Sequence, residues 1–343
     1  MMNSTFMKTM AIILAFLLVI TAAAVSPVYA QENGSGEIAP DEVKKNNGKT
    51  ELYFSTNTEI LEEYLTYVDS VEDWPSVGIT FGGPENPDLT SITLTKEQMK
   101  MMYTRTDIPF RLTTELGTVV MSDDVLRYLV KKAKKDEVKL VIRCVDLTEK
   151  EKKIYGEDAV ARRVYLMSGD KVITSLGEFN TVEIEMPLDV HSPSGLDVGR
   201  VNSKGKLTDA DCTIGGQIGN VRCKMETEYL GTFIISSTGR IAYGQKVTGI
   251  QQTTIKASAK SASRAVLVNW SKSKGFGVDG YQIYVSSKKD GTYKKVKTTK
   301  EKTYKHTGLK AGEKKYYKVR GYRKFGSDTY YTKWSNVVSA AAS

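Results

Sequence analysis

Apolar positions along this chain recur with two periods. Val138, Leu140, Ile142 and Cys144 recur in period two, as do Val182, Ile184 and Met186, and each run predicts a strand with one buried face. Ile60, Leu61, Tyr64, Leu65 and Val68 keep helical spacing, as do Val125, Leu126, Leu129, Val130 and Ala133. Val77–Phe81 reads as a strand closed by Gly82-Gly83-Pro84, and Ile92–Leu94 as another. Thr95 and Gln98 form a T-x-x-Q capping box for a helix through Tyr103, with Met99, Met101 and Met102 filling core. Phe110–Met121 predicts a hairpin turning at Gly117, and Ser122 caps the next helix. Val164–Met167, Val172–Thr174 and Phe233–Ile235 continue the strand pattern, the last before a polar exit.

The pattern changes character near residue 250. Ala265–Trp270 is a short apolar run ending in Trp, and Gly280–Val285 places Tyr281, Ile283 and Val285 on one face. Turn signals then recur about every ten residues, as a sandwich of short strands requires. At the other end, Lys8 precedes a 16-residue uncharged run, Met10–Val25, and Val28-Tyr29-Ala30 fits a cleavage site. The run falls short of the roughly 20 residues a spanning helix needs, so an exported chain without a transmembrane anchor is expected. The domains read as a signal peptide at 1–30, a disordered linker at 31–50, a β-rich module at 51–248 and a sandwich at 250–343. Gly48-Lys49-Thr50 resembles the end of a phosphate loop, but its earlier Gly would fall at Val43.

Residues Gln251–Ser343 resemble a fibronectin type III domain of the bacterial secreted kind. The likeness is carried by Trp270, Asp279-Gly280-Tyr281, the hairpin around Asp290-Gly291, the corner Gly308-Leu309, Tyr317-Lys318-Val319-Arg320, and Trp334-Ser335 taken as the start of the last strand. The family's corner Tyr would stand at position 315, which is Lys315. Either a bulge presents Tyr316 instead or the corner bond is absent. The module at 51–248, through PFRLTTELGTVVM, EVKLVIRCVDL and FNTVEIEMPL, resembles β-rich modules of secreted and S-layer-associated proteins of Gram-positive bacteria. The fold class implied is mainly β, an α+β module followed by a seven-stranded sandwich. The resemblance implies spacing, presenting or binding, since fold alone fixes no function.

Charge sharpens this picture. From Ile250 onward 18 Lys and 3 Arg face 3 Asp and 2 Glu, a net +16, so residues 1–249 carry −7 of the total +9. Such a lobe attracts anionic cell-wall polymer or polysaccharide. A solvated lysine-rich surface that blunts sheet edges accounts for the same charges. Nucleic acid is not an expected partner, because no binding motif occurs in an exported chain. A monomer, secreted or wall-associated, is expected.

Tyr316, Lys318, Arg320 and Tyr322 share one parity of a strand whose other parity, Tyr317 and Val319, faces the core. In this family the third strand neighbours the sixth, so Tyr284 joins them. The strip is a candidate ligand surface, and cross-strand pairs that only stabilise the sheet are the alternative. Cys212 and Cys223 flank a turn, fall opposite one another if it lies at Gln217-Ile218, and are the candidates for a disulfide. Cys144 reads as a buried thiol. Zinc is not expected, since the Cys pair lacks C-x₂-C spacing and His191 and His306 are remote. No nucleophile or metalloprotease motif occurs, and no cofactor is implied. Asp123-Asp124 reads as a helix start, and Asp209/Asp211 lack a calcium-loop ladder. The expectation is a non-enzymatic adhesion, wall-associated or polymer-binding protein. A polysaccharide-active enzyme with an accessory last domain is the alternative, because a glycosidase needs only two carboxylates.

Overall fold

The structure, a computed structural model, describes residues 37–68, 76–178, 180–188, 194–217, 220–272 and 276–343. The expected signal peptide at 1–30 and His191 lie outside the described residues. The chain forms two compact units, one through Ile241 and one from Ala242, and the fold is mainly β.

The first unit opens with β1 (Glu42–Asn46) and β2 (Lys49–Ser55), an antiparallel hairpin. Asn47 and Gly48 make its two-residue turn at φ 52° and 77°, the left-handed pair that strand twist requires. This corrects the linker expected through Thr50: Asn-Gly between two polar strands is a hairpin signal that low apolar content concealed. Gly48-Lys49-Thr50 is thereby a turn and a strand start. There follow α1 (Thr58–Val68), β3 (Val77–Thr80), β4 (Leu89–Thr95), α2 (Lys96–Arg105), β5 (Phe110–Thr114), β6 (Gly117–Met121), α3 (Asp123–Lys132) and β7 (Glu137–Cys144). Next come α4 (Glu149–Tyr155), β8 (Val160–Ser168), β9 (Lys171–Ile173), β10 (Val182–Leu188), β11 (Leu196–Val201), β12 (Leu207–Asp209), β13 (Thr213–Gln217), β14 (Asn220–Thr227) and β15 (Gly231–Ser237).

These strands build two sheets. One runs β1-β2-β4-β7-β8-β15-β11-β12, with β9 also on β8, and the other β13-β14-β10-β6-β5-β3. Pairing is antiparallel except for β2 with β4 and β3 with β5. Period two decides which face is buried. Val182, Ile184, Met186 and Leu188 of β10 enter the core, while Glu183 and Glu185 stay on the outer face. Both sheets and α1–α3 contribute to one apolar cluster, including Phe54, Leu65, Met99, Leu126, Ile184 and Phe233. The Thr95–Gln98 capping box and the Ser122 cap form as predicted. Helix α4 went unread, because only Ile154 and Tyr155 of its seven residues are buried; Thr148 and Glu151 form its capping box. The polar exit after Ile235 is corrected too: α5 (Arg240–Gln252) follows, its glycines and β-branched residues masking a helix that buries Val247 and Ile250.

The second unit carries β16 (Ile255–Ala262), β17 (Ala265–Lys272), β18 (Gly280–Ser286), β19 (Lys294–Thr299), β20 (Thr303–Thr307), β21 (Lys314–Phe325), β22 (Asp328–Tyr331) and β23 (Val338–Ala341). They form a three-stranded sheet, β16-β17-β20, and a five-stranded one, β19-β18-β21 with β22 and β23 both on the far flank of β21. The core between them holds Val266, Val268, Trp270, Tyr281, Ile283, Leu309, Tyr317 and Val319. Trp270 and Tyr281 meet edge to face, centroids 5.5 Å apart.

Two expectations change here. Tyr316 lies in regular register opposite Ser286 and Ser339, so no bulge rotates it into a corner. Tyr317 is the buried tyrosine, its hydroxyl 2.8 Å from Nδ1 of His306. Trp334 does not belong to the last strand. β23 begins at Val338, and Thr332–Val337 cross the flank of β21 as a loop.

Candidate functional site

That loop is held to β21 by hydroxyl groups. The Val319 N–H donates to Ser335 Oγ and the Gly321 N–H to Thr332 Oγ1, both at 2.9 Å. The Ser335 and Thr332 N–H groups return bonds to the carbonyls of Val319 and Gly321. Asn336 anchors the same loop to the other sheet, accepting from the Ala257 N–H and donating to its carbonyl. With both ends tied, Lys333 and Trp334 are pushed outward, and Trp334 lies over the outer sheet face, 39% exposed.

The residues beneath it come from adjacent strands in register. Tyr284 stands opposite Lys318, and Gln282 opposite Arg320. Tyr317 and Val319, at 0% exposure, take the core side, so Lys318 and Arg320 must point outward. Trp334 meets Tyr284 edge to face at 4.9 Å. The Lys318 ammonium lies 4.3 Å from the Trp334 ring centre and 4.6 Å from that of Tyr293. The Arg320 guanidinium lies 3.7 Å from the Tyr331 ring and 4.8 Å from Trp334. Arg320 donates through Nε and Nη2 to Gln282 Oε1 at 3.1 and 2.9 Å, and through Nη2 to the Tyr284 hydroxyl at 3.0 Å.

Among the described residues, neither Lys318 nor Arg320 is ion-paired with a carboxylate. Aromatic rings hold both, and Arg320 also donates to the Gln282 amide oxygen and the Tyr284 hydroxyl. Each such cation–π contact contributes about 0.5–1 kcal/mol at an exposed site and positions the cation without neutralising it. The result is a fixed positive charge beside exposed ring surface. Rings can stack on the C–H faces of sugars, and the cations can pair with carboxylate or phosphate.

Of the residues singled out from sequence, Tyr284, Lys318 and Arg320 stand together in this cluster. Tyr316 lies farther along the strip under Lys314, and Tyr322 packs over Gly280, opposite Tyr331. Sequence reasoning missed Gln282, Tyr293, Tyr331 and above all Trp334, which it had placed in a strand. The available signal was Ser335 beside Trp334, a hydroxyl able to complete a ladder.

In the first unit Glu183 and Glu185 sit side by side on the outer face of β10. Arg111 and Lys224 bond Glu183, while Arg111 and Arg222 reach Glu185. Both of these carboxylates are matched by cations. Cys212 and Cys223 are both free thiols, and Cys144 is half-buried, its thiol pushed up by burial. Among the described residues no group of three or more His, Cys, Asp and Glu could hold a metal ion, and no helix is long and apolar enough to cross a membrane.

No family model matches the chain, and no curated protein matches it. Solved structures do. A fibronectin type III domain from a human protein matches at 22% identity and TM-score 0.25, covering 31% of this chain and 84% of that one. Pectate lyase Pel3 from Pectobacterium carotovorum matches at 15% identity and TM-score 0.22, covering 26% of this chain and 27% of that one. Pectate lyase PelI from Erwinia chrysanthemi matches at 18% identity, with TM-score 0.22 and the same shares. The chain thus spans about a quarter of the length of the pectate lyases it matches. Their presence overturns the expectation of a chain without enzymatic activity, although likeness of this degree assigns no reaction and no catalytic residue.

Proposed function

We propose that the protein is an exported binding or scaffolding protein, and that the outer face of its C-terminal sandwich receives an anionic cell-wall polymer or acidic polysaccharide. The observation that carries this reading is the state of Lys318 and Arg320: both are fixed by aromatic rings and neither is offset by a carboxylate. On the outer face of β10, by contrast, Arg111 is paired with Glu183 and Glu185. An unneutralised cation pair flanked by Trp334 and Tyr284 suits a ligand that alternates sugar rings with acidic groups. The net +16 of residues 250–343 supports the same partner through long-range attraction. Export rests on the leader-like segment at 1–30, and a role at a Gram-positive surface on the pattern of the 51–248 module.

The test is a pull-down of the mature chain on purified cell wall and on a panel of acidic and neutral glycans, with turnover assayed on every hit. Lys318→Ala/Arg320→Ala and Trp334→Ala should each weaken binding roughly tenfold, about 1.4 kcal/mol. Tyr284→Ala/Tyr322→Ala should weaken it chiefly through Tyr284. Binding to acidic glycans should fall as salt rises. Folded variants that bind every polymer as the parent does would remove the reading.

A further inference from the structure

The turn expected at Gln217-Ile218 would set Cys212 opposite Cys223. The ladder runs one step differently: Gln217 pairs with Asn220, Ile214 with Cys223 and Thr213 with Lys224. Cys212 therefore precedes β13 and lies diagonal to Cys223, on the face of the hairpin that Ile214 shares with it. Both side chains nevertheless pack against the same apolar cluster, and each thiol shifts the titration of the other. Their surroundings are unequal. Cys223, at 0% exposure, belongs to the core beside Met186 and Met225, whereas Cys212 is half-buried at the sheet margin.

The neighbouring Cys223 holds the Cys212 thiol below its usual range, while Cys212, together with burial, pushes Cys223 well above it. A thiolate is the attacking species in disulfide exchange, so the sulfur nearer solvent is also the nucleophilic one. Cys144 provides the contrast: it sits on β7, donates weakly to the Pro87 carbonyl, and burial raises it.

We infer that Cys212 and Cys223 form a redox-active dithiol, with Cys212 attacking, Cys223 resolving, and a small organic disulfide as co-reactant. The Cys212 thiolate attacks one sulfur of the disulfide, forms a mixed disulfide and expels one thiolate. Cys223 then loses its proton to that leaving group and attacks Cys212 Sγ. The mixed disulfide breaks, a second thiolate leaves and takes up the proton released by Cys212, and an internal disulfide remains. Two protein thiols are oxidised and one external disulfide is reduced to two thiols. The new bond ties the segment ahead of β13 to β14. β13, Thr-Ile-Gly-Gly-Gln, is an edge strand with no fully buried residue, so the bond would fasten a weakly held margin.

The test uses the full reduced chain with glutathione disulfide as probe, followed by intact mass and peptide mapping. The expected product has lost the mass of two hydrogens, links Cys212 to Cys223, and leaves Cys144 free. Cys223→Ala should stop at glutathione on Cys212, and Cys212→Ser should leave Cys223 unreacted in the folded chain. If Cys223→Ala does not fold, the parent decides alone: the 212–223 crosslink supports the inference. Stable glutathione on parental Cys212, or Cys212 reacting no faster than Cys144, overturns it.

Discussion

The loop that displays Trp334 depends on two hydroxyl groups, and replacing them isolates what they do. Thr332→Val and Ser335→Ala each remove the acceptor of one β21 amide, Gly321 and Val319 respectively. Both amides belong to buried residues, and the Val319 side chain fills the core on the opposite face. Water cannot substitute without opening the flank, so each change leaves a donor without a partner. Such a loss costs about 1–3 kcal/mol. Valine keeps the shape of threonine, so Thr332→Val adds almost no cavity. For a domain of this size each kcal/mol shifts Tm by about 4–8 °C, so either change should lower the melting point of the second unit by roughly 4–24 °C. The two sites lie three residues apart on one loop, and the double variant should lose less than the sum. Urea titration followed by tryptophan fluorescence and by far-UV circular dichroism reads the effect, and Trp334 itself reports on the loop. A midpoint unchanged within error in both single variants would refute the assignment of these hydroxyls as the acceptors that seat the loop.

Other consequences can be measured on the same protein. His306 is held below its ordinary value first by burial, then by Lys315, with Glu313 opposing. Its folded pKa thus lies under that of the unfolded chain, near 6.5. The unfolded state protonates first, so this histidine leaves stability untouched above about pH 6.5 and erodes it as pH falls below. A His306→Gln chain should show a shallower loss between pH 7 and pH 5, and a steeper one would contradict the sign. Gly48 stands at φ 77° with open space around it. Gly48→Ala should cost about 1 kcal/mol through backbone strain alone, whereas an unchanged urea midpoint would dispute the turn. Asn336→Ala removes both bonds to Ala257 and should lower the second unit's stability by about 1–3 kcal/mol, read as a shifted urea midpoint. An Asn336→Asp chain should restore only the accepting half.

Much of the fold was readable because burial here follows simple periods. The alternation in β10 gave its buried face directly, and the Thr95 and Ser122 caps located two helices, whereas β7 buries Val141 on the face opposite Val138, Leu140 and Ile142. Elements with little apolar content escaped notice. β1 buries nothing, α4 buries two residues, and α5 mixes helix formers with glycine. The candidate site was half legible for a similar reason. Parity along β21 places Lys318 and Arg320 outward, but parity ends with the strand. Trp334 lies on a loop whose path is set by hydroxyl–amide bonds to a neighbouring strand, and no local pattern encodes such a contact. The cysteine pair shows the limit of register reading, since a turn displaced by one position changes which residues face one another.

β1 illustrates how a segment can matter without joining the interior. Each of its five side chains is exposed, and Lys44 reaches across to Tyr53 of β2. Its backbone occupies the outer flank of β2, the strand that carries Leu52 and Phe54 inward. Strip residues 42–46 away and the interior keeps its contents, but a bare ladder of amides and carbonyls beside an apolar strand becomes available to other molecules. Proteolytic trimming through residue 46 would also take Ile38 out of the core, so it should show itself as self-association together with a lower melting temperature.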